Sequence, residues 1–177
     1  MAAIAPTRFD VVGSFLRPAV LKEARASHAA GTLDDAGLAR VEDACIAELV
    51  AKQKAAGLPL LTDGEFRRSY WHLDFMWGLG GIEHVELDHG YFFVGEETTH
   101  GSAVLTGKIS GENHPFVEHF KFVQALEEPG HTAKQTIPAP AQLLLELYRD
   151  DARPSARAAS TRTRTSCSRI SAPRTAP

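Results

Sequence analysis

Three short stretches of the 177-residue chain gather side chains that could bind or orient a small polar molecule. The densest is Thr62-Asp63-Gly64-Glu65-Phe66-Arg67-Arg68, followed by Tyr70-Trp71-His72 and Asp74-Phe75. Two carboxylates flank a glycine there, two guanidinium groups follow, and the aromatic rings could exclude water. A carboxylate can hold an ammonium group, and an arginine can grip a carboxylate through two parallel hydrogen bonds, a pairing that suits an amino-acid substrate. Asp63, Arg68 and His72 are candidates for orienting such a substrate. A surface salt-bridge cluster would use the same residue types and be worth only about 0–1 kcal/mol per pair. The second stretch is Val12-Gly13-Ser14-Phe15, where glycine lets the backbone approach a ligand and Ser14 brings one donor and two acceptor lone pairs. An ordinary strand-to-helix turn reads the same way. The third, Thr136-Ile137-Pro138-Ala139-Pro140, carries two prolines that stiffen the exit of a strand and is read as scaffolding.

Other reactive residues are scattered. His114 and His119 are five apart, not the four that aligns two metal ligands on a helix. Cys45 falls on an apolar helical face, where a small core residue is the usual role, and Cys167 sits near the C-terminal end. There is no Cys-x-x-Cys, His-x-Cys or phosphate loop, and Gly78-Leu79-Gly80-Gly81 lacks the strand-then-helix context of a dinucleotide loop. No metal site is expected from these residues.

The elements that would carry the three stretches alternate. Phe9–Val12 is a short β-prone run broken by Gly13, and a helix is predicted near Leu21–Ala30 behind Pro18. A longer helix starts at the Asp34/Asp35 caps and runs to Ala56, with Leu38, Val41, Cys45, Leu49 and Val50 at 3–4 spacing and Gly57 closing it. Leu58–Thr62 reads as a buried strand. Residues 66–102 form an excursion, aromatic first and then hairpin-like through Ile82–Leu87 and Tyr91–Val94. Ala103–Thr106 is read as a third strand. A helix opening at His114-Pro115 has Phe116, Phe120, Val123 and Leu126 on one face, Thr132–Ile137 is a fourth strand, and Pro140–Arg149 closes the series. Strand–helix alternation argues for a parallel α/β sheet, whose ligands sit at the C-terminal ends of the strands. Four such units are half of an eight-fold (β/α)8 barrel, so a TIM-barrel half is expected over residues 1–150.

Composition sets the remaining bounds. The hydrophobic fraction of 44% and charged fraction of 23% are those of a globular chain, and no run approaches the ~18 apolar residues of a membrane span. The N-terminus lacks a signal-peptide core and two cysteines make no disulfide framework, so a cytoplasmic location without membrane contact is expected. The net charge of −3 is unevenly split: residues 151–177 carry six arginines against one aspartate, while residues 1–150 carry 13 basic and 21 acidic side chains. An acidic body repels nucleic acid. The tail, rich in Arg, Ser, Thr, Ala and Pro, has Ile170 as its one sizeable apolar side chain and reads as disordered. It is read as the product of a shifted frame in a GC-rich gene, with a solvated terminus or a basic contact to nucleic acid or an acidic partner as alternatives.

Taken together, Phe9-Asp10-Val11-Val12-Gly13-Ser14-Phe15-Leu16-Arg17-Pro18, Thr62–Arg68 and Trp71-His72-Leu73-Asp74-Phe75 resemble the cobalamin-independent methionine synthase family, in particular its shorter stand-alone members. The resemblance covers about residues 8–150. It implies a (β/α)8 barrel that moves a methyl group from a polyglutamylated methyltetrahydrofolate to the thiol of homocysteine, in methionine biosynthesis. It also implies a zinc ion that holds the thiol as thiolate, and no cobalamin. By motif, Val12 and Ser14 fall on the segment that holds the amino-acid end of homocysteine, and Glu65 on the glutamate that binds the same substrate. Arg68 matches an arginine with a structural or substrate-orienting role. The resemblance places the family's zinc ligands (a His-x-Cys pair, a Glu and a second Cys) and an amine-binding Asp in the second half of the barrel.

The expectation is therefore half of a methionine-synthase-like methyltransferase, holding no catalytic or metal-binding residue of its own and inactive alone. Two alternatives stay open: a related barrel acting on another thiol or small acid, and a non-catalytic half-barrel that associates with a partner chain.

Overall fold

The computed structural model describes residues 10–148; the tail from residue 151 on, and Phe9 of the first predicted strand, lie outside the described residues. The chain divides into two compact units, one of residues 10–71 and 113–136, the other of residues 72–112 and 137–148.

The first unit is built on two helices and a short parallel sheet. Helix α1 spans Ala19–Ala29 and helix α2 spans Asp35–Ala55. Asp34 caps α2 through its side chain, which accepts the Gly37 N–H at 2.7 Å. Strand β1 (Leu60–Leu61) lies parallel to strand β6 (Thr132–Ala133), in register Leu60↔Thr132 and Leu61↔Ala133. Helix α4 (Pro115–Gln124) starts with a proline at its first turn and the His114 ring capping the Phe116 N–H. The apolar spacing of α2 does what it promises: Cys45, Ile46, Leu49 and Val50 pack with Leu21, Leu61, Phe66, Val123 and Ala133 in one buried cluster. Gln53 also faces inward and is 2% exposed. Its side-chain amide donates to the Thr62 carbonyl at 2.8 Å and accepts the Thr62 N–H at 3.0 Å, so a helix side chain takes the hydrogen bonds that a neighbouring strand would otherwise make.

The second unit pairs antiparallel strands. Helix α3 (Leu73–Trp77) precedes β2 (Gly80–Glu86), a small ribbon follows of β3 (Phe92–Phe93) and β4 (Glu96–Glu97), then β5 (Gly101–Ser110), and α5 (Pro140–Leu147) returns to this unit. β2 and β5 run antiparallel, with a bulge between Gly80 and Ile82. Gly81 sits in that bulge at φ +78°, where a Cβ would lie 2.5 Å from the Lys108 carbonyl oxygen. Glu146 of α5 is fully buried and accepts from Ser102 Oγ at 2.6 Å and from the Tyr91 hydroxyl.

The class is mixed α/β, with four corrections to the expected strands. Ala103–Thr106 belongs to β5, an antiparallel arm, and so is not a third parallel strand; an apolar run of four has the same pattern in either sense. Asp10–Val12 takes no strand pairing, and the fourth strand is cut from Thr132–Ile137 to Thr132–Ala133. The expected 82–87/91–94 hairpin is also re-paired, since β2 takes β5 as its partner and β3 takes β4. No helix among the described residues is long and apolar enough to cross a membrane.

Candidate functional site

The turn that follows β1 is the centre of the site. Thr62, Asp63, Gly64, Glu65 and Arg68 are all buried, although four of the five carry polar or charged side chains. Glu65 adopts φ +59°, a left-handed conformation that costs a non-glycine residue on the order of 1–3 kcal/mol and that clusters at functional sites. Asp63 supports it, its Oδ1 accepting the Glu65 N–H at 2.9 Å.

Three separate segments then meet on the Glu65 carboxylate. Ser14 Oγ donates to Oε2 at 2.7 Å, Thr136 Oγ1 donates to Oε1 at 3.0 Å, and Arg68 Nη1 stands 3.2 Å from Oε1. Arg68 also donates from Nη2 to the Thr136 hydroxyl at 2.9 Å and to the Trp71 carbonyl from Nη1 at 3.2 Å, and its guanidinium lies over the Phe116 ring at 4.6 Å. The Ser14 segment is held in place from both sides. The Phe15 N–H donates to the Gly64 carbonyl at 3.1 Å, and Lys134 Nζ reaches Asp10 Oδ1 and the Val11 carbonyl, each at 2.6 Å.

Arginines fasten the turn from beneath. Arg17 Nη2 donates to the carbonyls of Glu65 (2.9 Å) and Arg68 (2.5 Å), and Arg25 Nη1 to those of Phe66 (3.1 Å) and Arg67 (3.3 Å). Arg25 and Arg67 share Glu42, at 2.9 and 3.4 Å, and Arg67 also pairs with Asp43. Burial pushes the Glu42 carboxyl above its ordinary value, against the pull of Arg67 and then Arg25. Burial, then the Arg67 charge, holds His119 below the ordinary histidine value of 6.5, with Asp63 acting the other way. A largely apolar cleft of about 490 Å3 runs along α2, lined by Phe15, Leu16, Cys45, Leu49, Leu58 and Phe66.

Of the residues singled out in the sequence, the structure brings Ser14, Asp63, Glu65 and Arg68 together. Val12 lies two residues before Ser14 with its side chain 86% exposed. His72 belongs to the second unit, where its Nε2 is 3.6 Å from the Glu146 carboxylate. Sequence reasoning missed Thr136, set aside as scaffolding, and Arg17 and Arg25, whose distance along the chain hid their role under the turn. The one available signal for Thr136 was its place at a strand end. Among the described residues no three His, Cys, Asp or Glu side chains are placed to hold a metal ion. Cys45 is ill suited to the task, because burial, then Glu48, raises its thiol above the ordinary value. The zinc implied by the resemblance has no fitting donor set in this part of the chain.

The fold and site define an α/β protein with a preorganised carboxylate at a strand end, and comparison with known proteins narrows the class. No family model matches the chain. It is 42% identical over 139 residues to the uncharacterized protein YxjH of Bacillus subtilis (strain 168), covering 78% of this chain and 37% of YxjH. The similarity to YxjG of the same strain is 39% over 138 residues, covering 36% of YxjG. A Listeria monocytogenes structure, provisionally assigned as a vitamin-B12 independent methionine synthase, superposes with a TM-score of 0.67 at 40% identity, over 81% of this chain and 40% of that one. A B12-independent methionine synthase from Shewanella sp. W3-18-1, in complex with selenomethionine, shares the fold at a TM-score of 0.50 and 21% identity, over 69% of this chain. Over the matched part, the chain is a relative of the cobalamin-independent methionine synthases. It spans less than two-fifths of the length of the curated relatives it matches.

Proposed function

We propose that this chain carries the amino-acid-binding part of a methyltransferase that transfers a methyl group from a methyltetrahydrofolate to homocysteine. The observation that supports the reading most is the strained Glu65 carboxylate, held by Ser14, Thr136 and Arg68 at the end of β1. A carboxylate fixed in this way needs no reorganisation to accept an ammonium group, and preorganised polar groups are what a binding site uses to fix orientation. Ser14 and the backbone at Val12 would hold the other polar atoms of the same end of the substrate. Arg68 is a positioning residue in this reading, acting through Thr136 and Glu65. The selenomethionine bound by the Shewanella enzyme is an amino acid of the same class as the proposed substrate and product.

The proposal extends to architecture and cofactor. The first unit corresponds to part of a (β/α)8 barrel, and the zinc that makes the thiol nucleophilic is held by residues outside the described part of this chain. The chain alone is therefore expected not to complete the transfer. A chimera tests the reading: residues 10–148 of this chain replace the matched part of the Listeria protein. Methionine formation from homocysteine and a methyltetrahydrofolate polyglutamate, abolished by Glu65→Gln, is the expected result. A folded chimera without activity beside an active parent would overturn the reading.

A further inference from the structure

A residue at positive φ relaxes only by turning one of the two peptide planes beside it, so the groups that hold those planes hold the strain. The plane before Glu65 is fixed at both ends. Its carbonyl, that of Gly64, accepts the Phe15 N–H at 3.1 Å, and its N–H donates to Asp63 Oδ1 at 2.9 Å. The plane after Glu65 has weaker support from within the turn. The Phe66 N–H donates to the Asp63 carbonyl at 3.3 Å, and the Glu65 carbonyl accepts the Arg68 N–H at 3.2 Å. Both are longer than the ~2.9–3.0 Å that N–H···O bonds favour. The short bond to that plane comes from outside the turn: Arg17 Nη2 donates to the Glu65 carbonyl at 2.9 Å. The same nitrogen reaches the Arg68 carbonyl at 2.5 Å, and Nε stands 3.5 Å from the Phe66 carbonyl, so one guanidinium spans the turn. Arg17 follows Ser14 by three residues, and the Ser14 hydroxyl donates to the Glu65 carboxylate at 2.7 Å. Residues 14–17 therefore grip Glu65 by side chain and by backbone. Arg25 reaches the carbonyls of Phe66 and Arg67 and the Glu42 carboxylate instead.

We infer that Arg17 is a positioning residue for the Glu65 carboxylate: its guanidinium pins the peptide plane after Glu65, which keeps that backbone left-handed and the carboxylate aimed at Ser14 and Thr136. The inference rests on the amino-acid reading of the site and adds to it a residue that acts on the ligand only through Glu65. Without the Arg17 bond the plane is free to turn, the strain at φ +59° is released, and the carboxylate leaves its partners. A ligand then has to reorder the turn as it binds, which lowers its affinity. Lysine cannot take over this task. Its ammonium is a point charge on a flexible stem, whereas the planar guanidinium presents its N–H groups in a fixed fork that fits carbonyls on one turn.

A double-mutant cycle between Arg17 and Glu65 tests this, read by calorimetric titration of L-homocysteine into the full chain under reducing conditions. Arg17→Met is expected to weaken binding about tenfold or more in the wild-type background. In the Glu65→Gln background, where the carboxylate it positions is gone, the same change is expected to cost less than about twofold. Arg17→Lys is expected to weaken binding about as much as Arg17→Met, and it takes that variant's place in the cycle should Arg17→Met fail to fold. Amide hydrogen exchange gives a reading without ligand. Arg17→Met should speed exchange at Glu65, Phe66 and Arg68 about tenfold or more and leave the amides of α2 within about twofold. Equal weakening in both backgrounds overturns the inference, because Arg17 then acts by a route other than Glu65. Full affinity in Arg17→Lys overturns it too, as does exchange across the turn that stays unchanged or rises no more than that of α2. Each of these results leaves the amino-acid reading standing where the wild type binds and Glu65→Gln binds more weakly. If the wild type does not bind L-homocysteine, the amino-acid reading itself fails and the inference with it.

Discussion

Glu65 joins a positive φ, near-complete burial and three partners, two of them, Ser14 and Thr136, drawn from distant parts of the chain and the third, Arg68, from its own turn. Each partner can be removed singly. Thr136→Val deletes a donor to a buried carboxylate and should destabilise the chain by about 2 kcal/mol in urea unfolding, the usual value for a hydrogen bond to a charged group. Ser14→Ala should cost about 1 kcal/mol or less, because Ser14 is exposed and water can replace its hydroxyl. A larger loss at Ser14 than at Thr136 would contradict the arrangement described. His119 gives a pH signature. Its proton affinity is lowered in the folded chain, so below 6.5 the unfolded chain binds more protons. The neutral ring's stability is fully present above that value and is lost as the pH falls through the lower folded value. His119→Phe should therefore flatten the loss of stability between about pH 7.5 and about pH 5.5, measured by denaturant titration at both. An unchanged pH profile would show that His119 does not feel the buried, arginine-rich surroundings assigned to it.

The elements that were legible in the sequence are those whose burial pattern is periodic. α2 follows its 3–4 spacing from the Asp34 cap to the turn before Gly57, and α4 starts where His114-Pro115 says it should. Strands were harder for a physical reason. β1 and β6 are two residues each, and their parallel pairing depends on partners far apart in the chain, which no local pattern reports. Ala103–Thr106 looked like a parallel strand because short apolar runs carry no sense of direction, and the bulge at Gly80–Ile82 was not anticipated. The candidate site was partly legible. Asp63, Glu65 and Arg68 stood out as a charged cluster beside a glycine, and Ser14 as a polar residue after a strand-like run. Gln53 was invisible, since a glutamine in a helix normally faces water and only the tertiary fold turns it to Thr62. Its replacement is correspondingly informative. Gln53→Leu leaves the Thr62 N–H and carbonyl buried without partners and should destabilise by about 2–5 kcal/mol, read as a shift in the urea midpoint. A loss below about 0.5 kcal/mol would mean that Thr62 finds other partners or water.

At the scale of the molecule, two compact units, a short parallel sheet and a relationship covering less than two-fifths of the curated relatives fit one account. On the proposed reading, these residues would supply one end of a substrate pocket, and the thiol-activating chemistry would come from residues outside the described part of the chain. Purified chain incubated with L-homocysteine, methyltetrahydrofolate triglutamate and zinc should accordingly form no methionine above the uncatalysed background, with or without a chelator. Zinc-dependent turnover would show that a donor set exists in the chain after all. The most direct measurement of the central claim is calorimetric titration of L-homocysteine into the wild-type chain and into Glu65→Gln under reducing conditions. Saturable binding by the wild type, weakened about tenfold or more in the variant, is the expected result. Equal binding by both, or no binding by the wild type, would contradict the assignment of this turn as the amino-acid end of the site.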